Sequence, residues 1–141
     1  MGLILDSDHL ILSERRGFTA LQTLMELGSK RPGEQFGVSA ISLAELRHGV
    51  QRASTQSRRD FRQRFLDEIM TVTKVFPVTA SVALLVGELD AELEMRGHKI
   101  ALADLIIACT ALEQDFTVAT MNLRHFERIP GLRVVNLISP R

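Results

Sequence analysis

Three carboxylates stand at the edges of apolar segments, where a carboxylate is otherwise poorly placed. Asp6 ends the apolar run 2–5, Glu45 lies within 42–46, and Asp104 opens the run 104–108. If a fold brings them within a few ångströms, their negative charges repel one another, and a hard divalent cation relieves that repulsion. The three residues therefore predict a site for Mg²⁺ or Mn²⁺.

Glu45, Asp104 and the nearby Asp8 each have a structural alternative. Ser42 and Glu45 match the capping box S-x-x-E, in which the Glu reaches back to the N-cap amide. Asp8, close behind Asp6, suits the N-cap of a following helix. Asp104 could interact with a helix dipole, although burial among apolar neighbours without a partner would cost several kcal/mol. A metal would be such a partner.

The elements that must position these side chains alternate between short apolar strands and longer helical patterns. This alternation predicts an α/β fold with a parallel sheet of about five strands. Asp6 would then lie at the carboxyl end of the first strand, where open parallel sheets bind ligands. The expected strands are 3–6, 35–39, 75–78, 117–120 and 133–136, and the expected helices are 8–15, 18–28, 42–52, 55–72, a stripe through 82–93, and 102–113.

Length and composition predict a single domain over residues 1–141. Lys+Arg and Asp+Glu are both 17, so the net charge does not indicate a nucleic-acid binder, although five arginines lie between 52 and 64. Trp and Tyr are absent, so a nucleic acid would be held through phosphates, arginines and metal. The apolar runs are too short to span a bilayer. Asp6 and Asp8 interrupt the first apolar run, so it does not resemble a signal peptide. A cytoplasmic location and no membrane partner are expected.

Four segments, in order along the chain, carry a family resemblance: 3–8, 39–49, 97–108 and 120–126. With them the chain resembles the PIN-domain family, specifically the VapC-type ribonuclease toxins of type II toxin–antitoxin systems. The resemblance implies a PIN-like three-layer α/β/α fold with a central parallel sheet. It also implies Mg²⁺- or Mn²⁺-dependent RNA cleavage, a cognate VapB-like antitoxin, and a homodimer or a toxin–antitoxin hetero-oligomer.

The resemblance also implies roles for individual residues. Asp6, Glu45 and Asp104 match the acidic metal-site positions, with Ser7 and Asp8 supporting them. Thr120 and Asn122 match a catalytic polar pair after the fourth strand. His125 departs from the pattern, because Asp is frequent there, so this chain lacks a carboxylate that would complete a second metal position. Arg47, Arg124 and His125 are candidate RNA contacts.

A carboxylate-bound cation suits phosphodiester hydrolysis, because it lowers the pKa of its water and stabilises charge on phosphoryl oxygens. We expect water to attack without a covalent enzyme intermediate, leaving 5′-phosphate and 3′-hydroxyl ends. One alternative is a non-catalytic scaffold that binds RNA or protein. Another is an Asp-x-Asp phosphatase with Asp6 as nucleophile, which the absence of any lysine after residue 104 disfavours.

Overall fold

A computed structural model describes residues 1–138 of the chain. Those residues form one sheet of five parallel strands, in the order β3-β2-β1-β4-β5, with seven helices around it. The elements are β1 (Gly2–Leu5), α1 (Ser7–Arg15), α2 (Ala20–Lys30), β2 (Gln35–Ser39), α3 (Ala40–Gln51), α4 (Gln56–Val72), β3 (Lys74–Phe76), α5 (Ala80–Met95), α6 (Leu102–Gln114), β4 (Thr117–Ala119), α7 (Leu123–Glu127) and β5 (Val134–Val135).

The sheet is covered by helices on both faces, as β1 shows. Leu3, Ile4 and Leu5 are all fully buried, although successive side chains of a strand point to opposite faces. Leu3 and Leu5 belong to a core with side chains of α1 to α4. Ile4 belongs to a second core with side chains of α5, α6 and α7. The predicted three-layer α/β/α architecture is therefore confirmed.

The strand order places a crevice beside β1. The chain runs from β1 outward to β2 and β3, then returns to the other side of β1 with β4 and β5. In open parallel sheets, ligands bind at the carboxyl ends of the strands where the order reverses in this way. Asp6 directly follows β1 and Thr120 directly follows β4. Both residues therefore lie at the crevice.

The predicted elements are present, with shifted boundaries. All five strands occur, each within a few residues of the expected range. Helix α2 begins at Ala20 rather than at Phe18, because Thr19 caps it through a capping box with Gln22. The short helix α7 was not predicted. The predicted single domain extends to residue 141, and its last three residues lie outside the described part.

Helix α6 carries Asp104 in its first turn and is buried from Leu105 to Ala111, as its apolar sequence predicts. Cys109, within it, is fully buried, and burial raises the pKa of its thiol to about 11. Cys109 is therefore a small apolar core residue rather than a reactive thiol. No helix within residues 1–138 has the length and apolar character needed to cross a membrane.

Candidate active site

Asp6 and Thr120 meet at the ends of the adjacent strands β1 and β4. The Asp6 amide donates to the Ala119 carbonyl at 2.9 Å, which extends the pairing of the two strands by one residue. The Thr120 hydroxyl then lies 2.9 Å from Asp6 Oδ2. Asp6 is only 5% exposed, so its carboxyl group depends on such donors. The sheet itself therefore positions this pair.

Asp8 belongs to the same cluster and does not cap α1. Asp6 occupies the N-cap position of that helix, and its side chain makes no capping hydrogen bond. Asp8 Oδ2 instead accepts from the Met121 amide at 3.0 Å and lies 3.2 Å from the Thr120 hydroxyl. Since that hydroxyl has one proton, it donates to Asp6 or Asp8 at any one time. Asp8 Oδ1 is buried without a partner.

Glu45 reaches the cluster through Ser7, and the capping-box interpretation of Glu45 is wrong. Helix α3 begins at Ala40, two residues before Ser42, with Ser39 as N-cap and its hydroxyl accepting from the Ile41 amide. Glu45 therefore lies in the middle of the helix. Ser7 Oγ donates to Glu45 Oε2 at 2.9 Å, whereas Glu45 Oε1 is buried without a partner. Ser42 Oγ is likewise buried and unpartnered.

Asp104 is paired with the residue that departs from the family pattern. His125 Nε2, on α7, lies 2.9 Å from Asp104 Oδ2, and both side chains are about one quarter exposed, at 22% and 27%. The imidazole ring packs edge-on against the buried ring of Phe126. His125 therefore occupies one oxygen of the carboxylate and is held there by the core beneath it.

The carboxylates influence one another electrostatically. Burial, followed by the charges of Asp8 and Asp104, raises the pKa of Asp6 to about 7, although the Thr120 hydrogen bond opposes the shift. Burial also raises the pKa of Asp104, with His125 opposing that shift and Asp8 adding to it. At neutral pH, Asp6 thus retains a proton for much of the time. The cluster carries more negative charge than the protein around it can easily stabilise.

The donor set suits a hard divalent cation. Two carboxylate oxygens in the cluster, Asp8 Oδ1 and Glu45 Oε1, are buried without a hydrogen-bond partner. Asp6 Oδ1 has only a contact of 3.5 Å to Ser7 Oγ. As the side chains stand, however, no three His, Cys, Asp or Glu residues within 1–138 converge closely enough to hold one ion. Binding therefore requires these side chains to move toward one another.

Comparison with known proteins identifies the fold and the family. The family model described as the PIN domain matches residues 3–132. The chain belongs to the PIN-domain family. It is 35% identical over 99 residues to Ribonuclease VapC2 of Rickettsia felis, which covers 70% of this chain and 72% of that protein. It is 31% identical over 97 residues to the tRNA(fMet)-specific endonuclease VapC of Salmonella typhimurium, covering 69% of this chain and 71% of that protein.

A solved structure agrees with this assignment. The crystal structure of VapBC2 from Rickettsia felis bound to a DNA fragment from their promoter contains a chain with a TM-score of 0.80 and 29% identity. The match covers 96% of this chain and 98% of that one. The resemblance to VapC-type PIN domains is thus confirmed. PIN-domain ribonucleases generally use divalent metal ions.

Three other predicted site residues lie at the surface of this PIN domain. Asn122 is exposed, and its backbone amide, rather than its side chain, donates to Thr120 Oγ1 at 3.0 Å. Arg47 is exposed on α3 and contacts the Gln63 side chain. Arg124 is exposed on α7. Their proposed roles in catalysis or RNA binding stay predictions.

Two features of the PIN-domain site were not predicted from the sequence. The Met121 amide donates to Asp8, and no side-chain pattern reveals a backbone donor. His9 is fully buried behind the site, and burial lowers the pKa of its imidazole. Its place on the inner face of α1, next to buried Leu10, could have indicated this burial.

Proposed function

We propose that this chain is the toxin of a VapBC-type toxin–antitoxin pair and a metal-dependent endoribonuclease. It would hydrolyse RNA phosphodiester bonds by attack of an activated water. The observation that carries the proposal is the clustering of Asp6, Asp8, Glu45 and Asp104 at the crevice between β1 and β4, with unpartnered oxygens on two of them. The names of the VapC relatives support the choice of RNA as substrate.

Asp6, Glu45 and Asp104 would hold the cation, with Asp8 in support. A divalent cation bound there supplies an acidified water and stabilises negative charge on the phosphoryl oxygens. The protein's own groups prepare the site. Thr120 orients Asp6 Oδ2, Ser7 orients Glu45 Oε2, and His125 faces Asp104 Oδ2. The second oxygen of Glu45, Oε1, has no hydrogen-bond partner and is free to accept a cation.

Asp6 also sets a proton requirement. Because the pKa of Asp6 is raised to about 7, the carboxyl group must release a proton before both of its oxygens can coordinate a cation. We therefore expect cation binding, and with it cleavage, to strengthen as the pH rises through about 7. The Thr120 hydroxyl, which also accepts from the Asn122 amide, can then donate to the ionised Asp6.

The test is cleavage of total cellular RNA by the purified chain with Mg²⁺ or Mn²⁺. Asp104→Asn and EDTA serve as parallel controls, and the fragment ends are mapped. The proposal predicts discrete fragments that disappear in both controls and that carry 5′-phosphate and 3′-hydroxyl ends. Fragments with 2′,3′-cyclic phosphate ends would contradict attack by water. The same fragments in EDTA would contradict metal dependence.

A second candidate is a PIN scaffold that binds RNA without cutting it. Two observations favour it: no three ligands converge within residues 1–138, and His125 covers an oxygen of Asp104. Under this alternative, a folded and metal-supplemented wild type would bind RNA but leave it intact. Binding without cleavage would therefore select the scaffold.

A protein partner follows from the same proposal. The Rickettsia felis neighbour was solved as a VapBC2 complex, and we propose a VapB-like antitoxin for this chain. Leu21, Met25 and Met70 on α2 and α4 are at least half exposed, at 50%, 67% and 52%, and would form part of its binding surface. Growth arrest on expression of the chain, relieved by its antitoxin but not by an unrelated one, would support the pairing.

A further inference from the structure

A cleft runs away from the candidate active site between α1, α3 and α4. Its inner part, of about 230 Å³, is lined by Glu45 together with His48 and Arg52. Its outer part, of about 590 Å³, is lined by Arg58, Phe61 and Arg64. The two parts share Glu14, Arg15 and Arg62, so they form one continuous depression, which we call the arginine cleft.

The base of the arginine cleft is fixed by an ion pair between buried Glu14 and partly buried Arg62. Arg62 Nε lies 2.8 Å from Glu14 Oε1, and Arg62 Nη1 donates to the Gly49 carbonyl at 2.8 Å. These contacts join α4 to α1 and α3. Burial raises the pKa of Glu14, and Arg62 opposes that shift. The charges of Arg62 and Glu14 therefore neutralise each other, and the pair adds little net charge to the cleft.

The remaining charges of the cleft are mostly positive and uncompensated. Arg15, Arg52, Arg58 and Arg64 are exposed and have no ion-pair partner among residues 1–138. Besides Glu14, the one acidic residue in the lining is Glu45, at the end next to the candidate active site. Because the whole chain has zero net charge, this concentration of arginines on one face is local. Such a local concentration of positive charge attracts a polyanion.

We infer that the arginine cleft holds a single-stranded RNA segment next to the bond to be cut, with Arg15, Arg52, Arg58 and Arg64 on its phosphates. The inference rests on the proposed function and adds the path of the substrate. Continuity with Glu45 favours RNA over an acidic protein segment, since only a substrate strand has to run from the cleft into the carboxylate cluster. The half-buried ring of Phe61 offers a face on which a base can stack.

The test is RNA binding in EDTA, where the bound strand stays intact. Affinity of a fluorescent single-stranded oligonucleotide is measured by anisotropy at several salt concentrations. The variant is Arg58→Gln with Arg64→Gln, and the matched control is Arg96→Gln with Arg133→Gln, two exposed arginines outside the cleft. A further variant, Arg58→Lys with Arg64→Lys, keeps the charge. Circular dichroism checks that each variant is folded.

Loss of two phosphate contacts should weaken binding about tenfold and reduce the slope of log affinity against log salt by about 1.4. The control and the lysine variant should keep the wild-type slope. Equal slopes for all variants would overturn the inference. So would RNA affinity that is unchanged while the affinity for a poly-glutamate peptide falls, because the cleft would then take an acidic protein segment.

Metal-dependent cleavage by the same variants separates this inference from the proposed function. If the wild type cleaves RNA and the glutamine variant cleaves and binds as well as the wild type, the arginine cleft is not the substrate path and the ribonuclease assignment stands. If the wild type binds RNA through the cleft but never cleaves it, the ribonuclease assignment fails and the cleft remains. A wild type that binds no RNA overturns the inference.

Discussion

Asp6 carries the largest electrostatic penalty of the single residues in the site. Its pKa is about 7 in the folded chain, against an ordinary value of 3.8. Between pH 3.8 and about pH 7, the folded state therefore binds more protons than the unfolded state. The free energy of unfolding should therefore fall as the pH rises through this window and level off above it. The carboxylate is retained at the expense of stability, which is common at functional sites.

Substitution of Asp6 tests whether its buried carboxylate destabilises the fold. We expect Asp6→Asn to stabilise the cation-free protein by roughly 2–4 kcal/mol at about pH 8 and by much less at about pH 4. Thermal unfolding at both pH values measures the difference. Glu127→Gln, at an exposed carboxylate, should change neither midpoint. A variant that loses stability equally at both pH values would show that hydrogen bonding by Asp6 outweighs its burial.

His125 acts on a single carboxylate, since its Nε2 lies 2.9 Å from Asp104 Oδ2. We expect His125→Ala to destabilise the cation-free chain by about 1–3 kcal/mol, because a half-buried carboxylate loses its partner. Millimolar Mn²⁺ should then raise the melting temperature of the variant more than that of the wild type, since Asp104 is free to turn toward the ion. A smaller rise in the variant would instead identify His125 as a group that helps to hold the cation.

The start of helix α3 determines where Glu45 lies. With Ser39 as N-cap, Glu45 lies beyond the first turn and faces Ser7 of α1. Ser39→Ala should cost about 1 kcal/mol of stability, the usual value for a lost cap. Ser42→Ala should be neutral or stabilising, because its hydroxyl is buried without a partner. Urea unfolding measures both changes in stability. A larger loss of stability for Ser42→Ala than for Ser39→Ala would indicate that Ser42 caps the helix.

The carboxylates meet only when four elements of the fold have assembled: β1, α1, α3 and α6. A cation that binds only the assembled site stabilises the fold, by about 2.7 kcal/mol at a concentration one hundred times its dissociation constant. We expect Mn²⁺ to raise the melting temperature of the wild type and to leave Asp104→Asn nearly unchanged. An unchanged wild-type midpoint at millimolar Mn²⁺ would show that the side chains do not close on an ion.

Local patterns in the sequence were sufficient to predict the strands and helices other than the short helix α7. The strand β1 is a run of buried aliphatic residues, and α6 is apolar on most sides, so both can be predicted from the sequence alone. The order of strands and helices along the chain also predicted the parallel sheet. Asp6, at the end of the first strand, could be placed at the carboxyl edge of the sheet for the same reason.

The contacts of those residues could not be predicted from local patterns. The Ser42–Glu45 spacing fits a capping box as well as a site residue, and Ser39 settles the matter by starting the helix earlier. The pairing of Asp104 with His125, the donation of the Met121 amide to Asp8, and the arginine cleft all join residues distant in sequence. Periodicity and composition describe local preferences, whereas these contacts depend on how separate elements pack, and packing is a property of the whole chain.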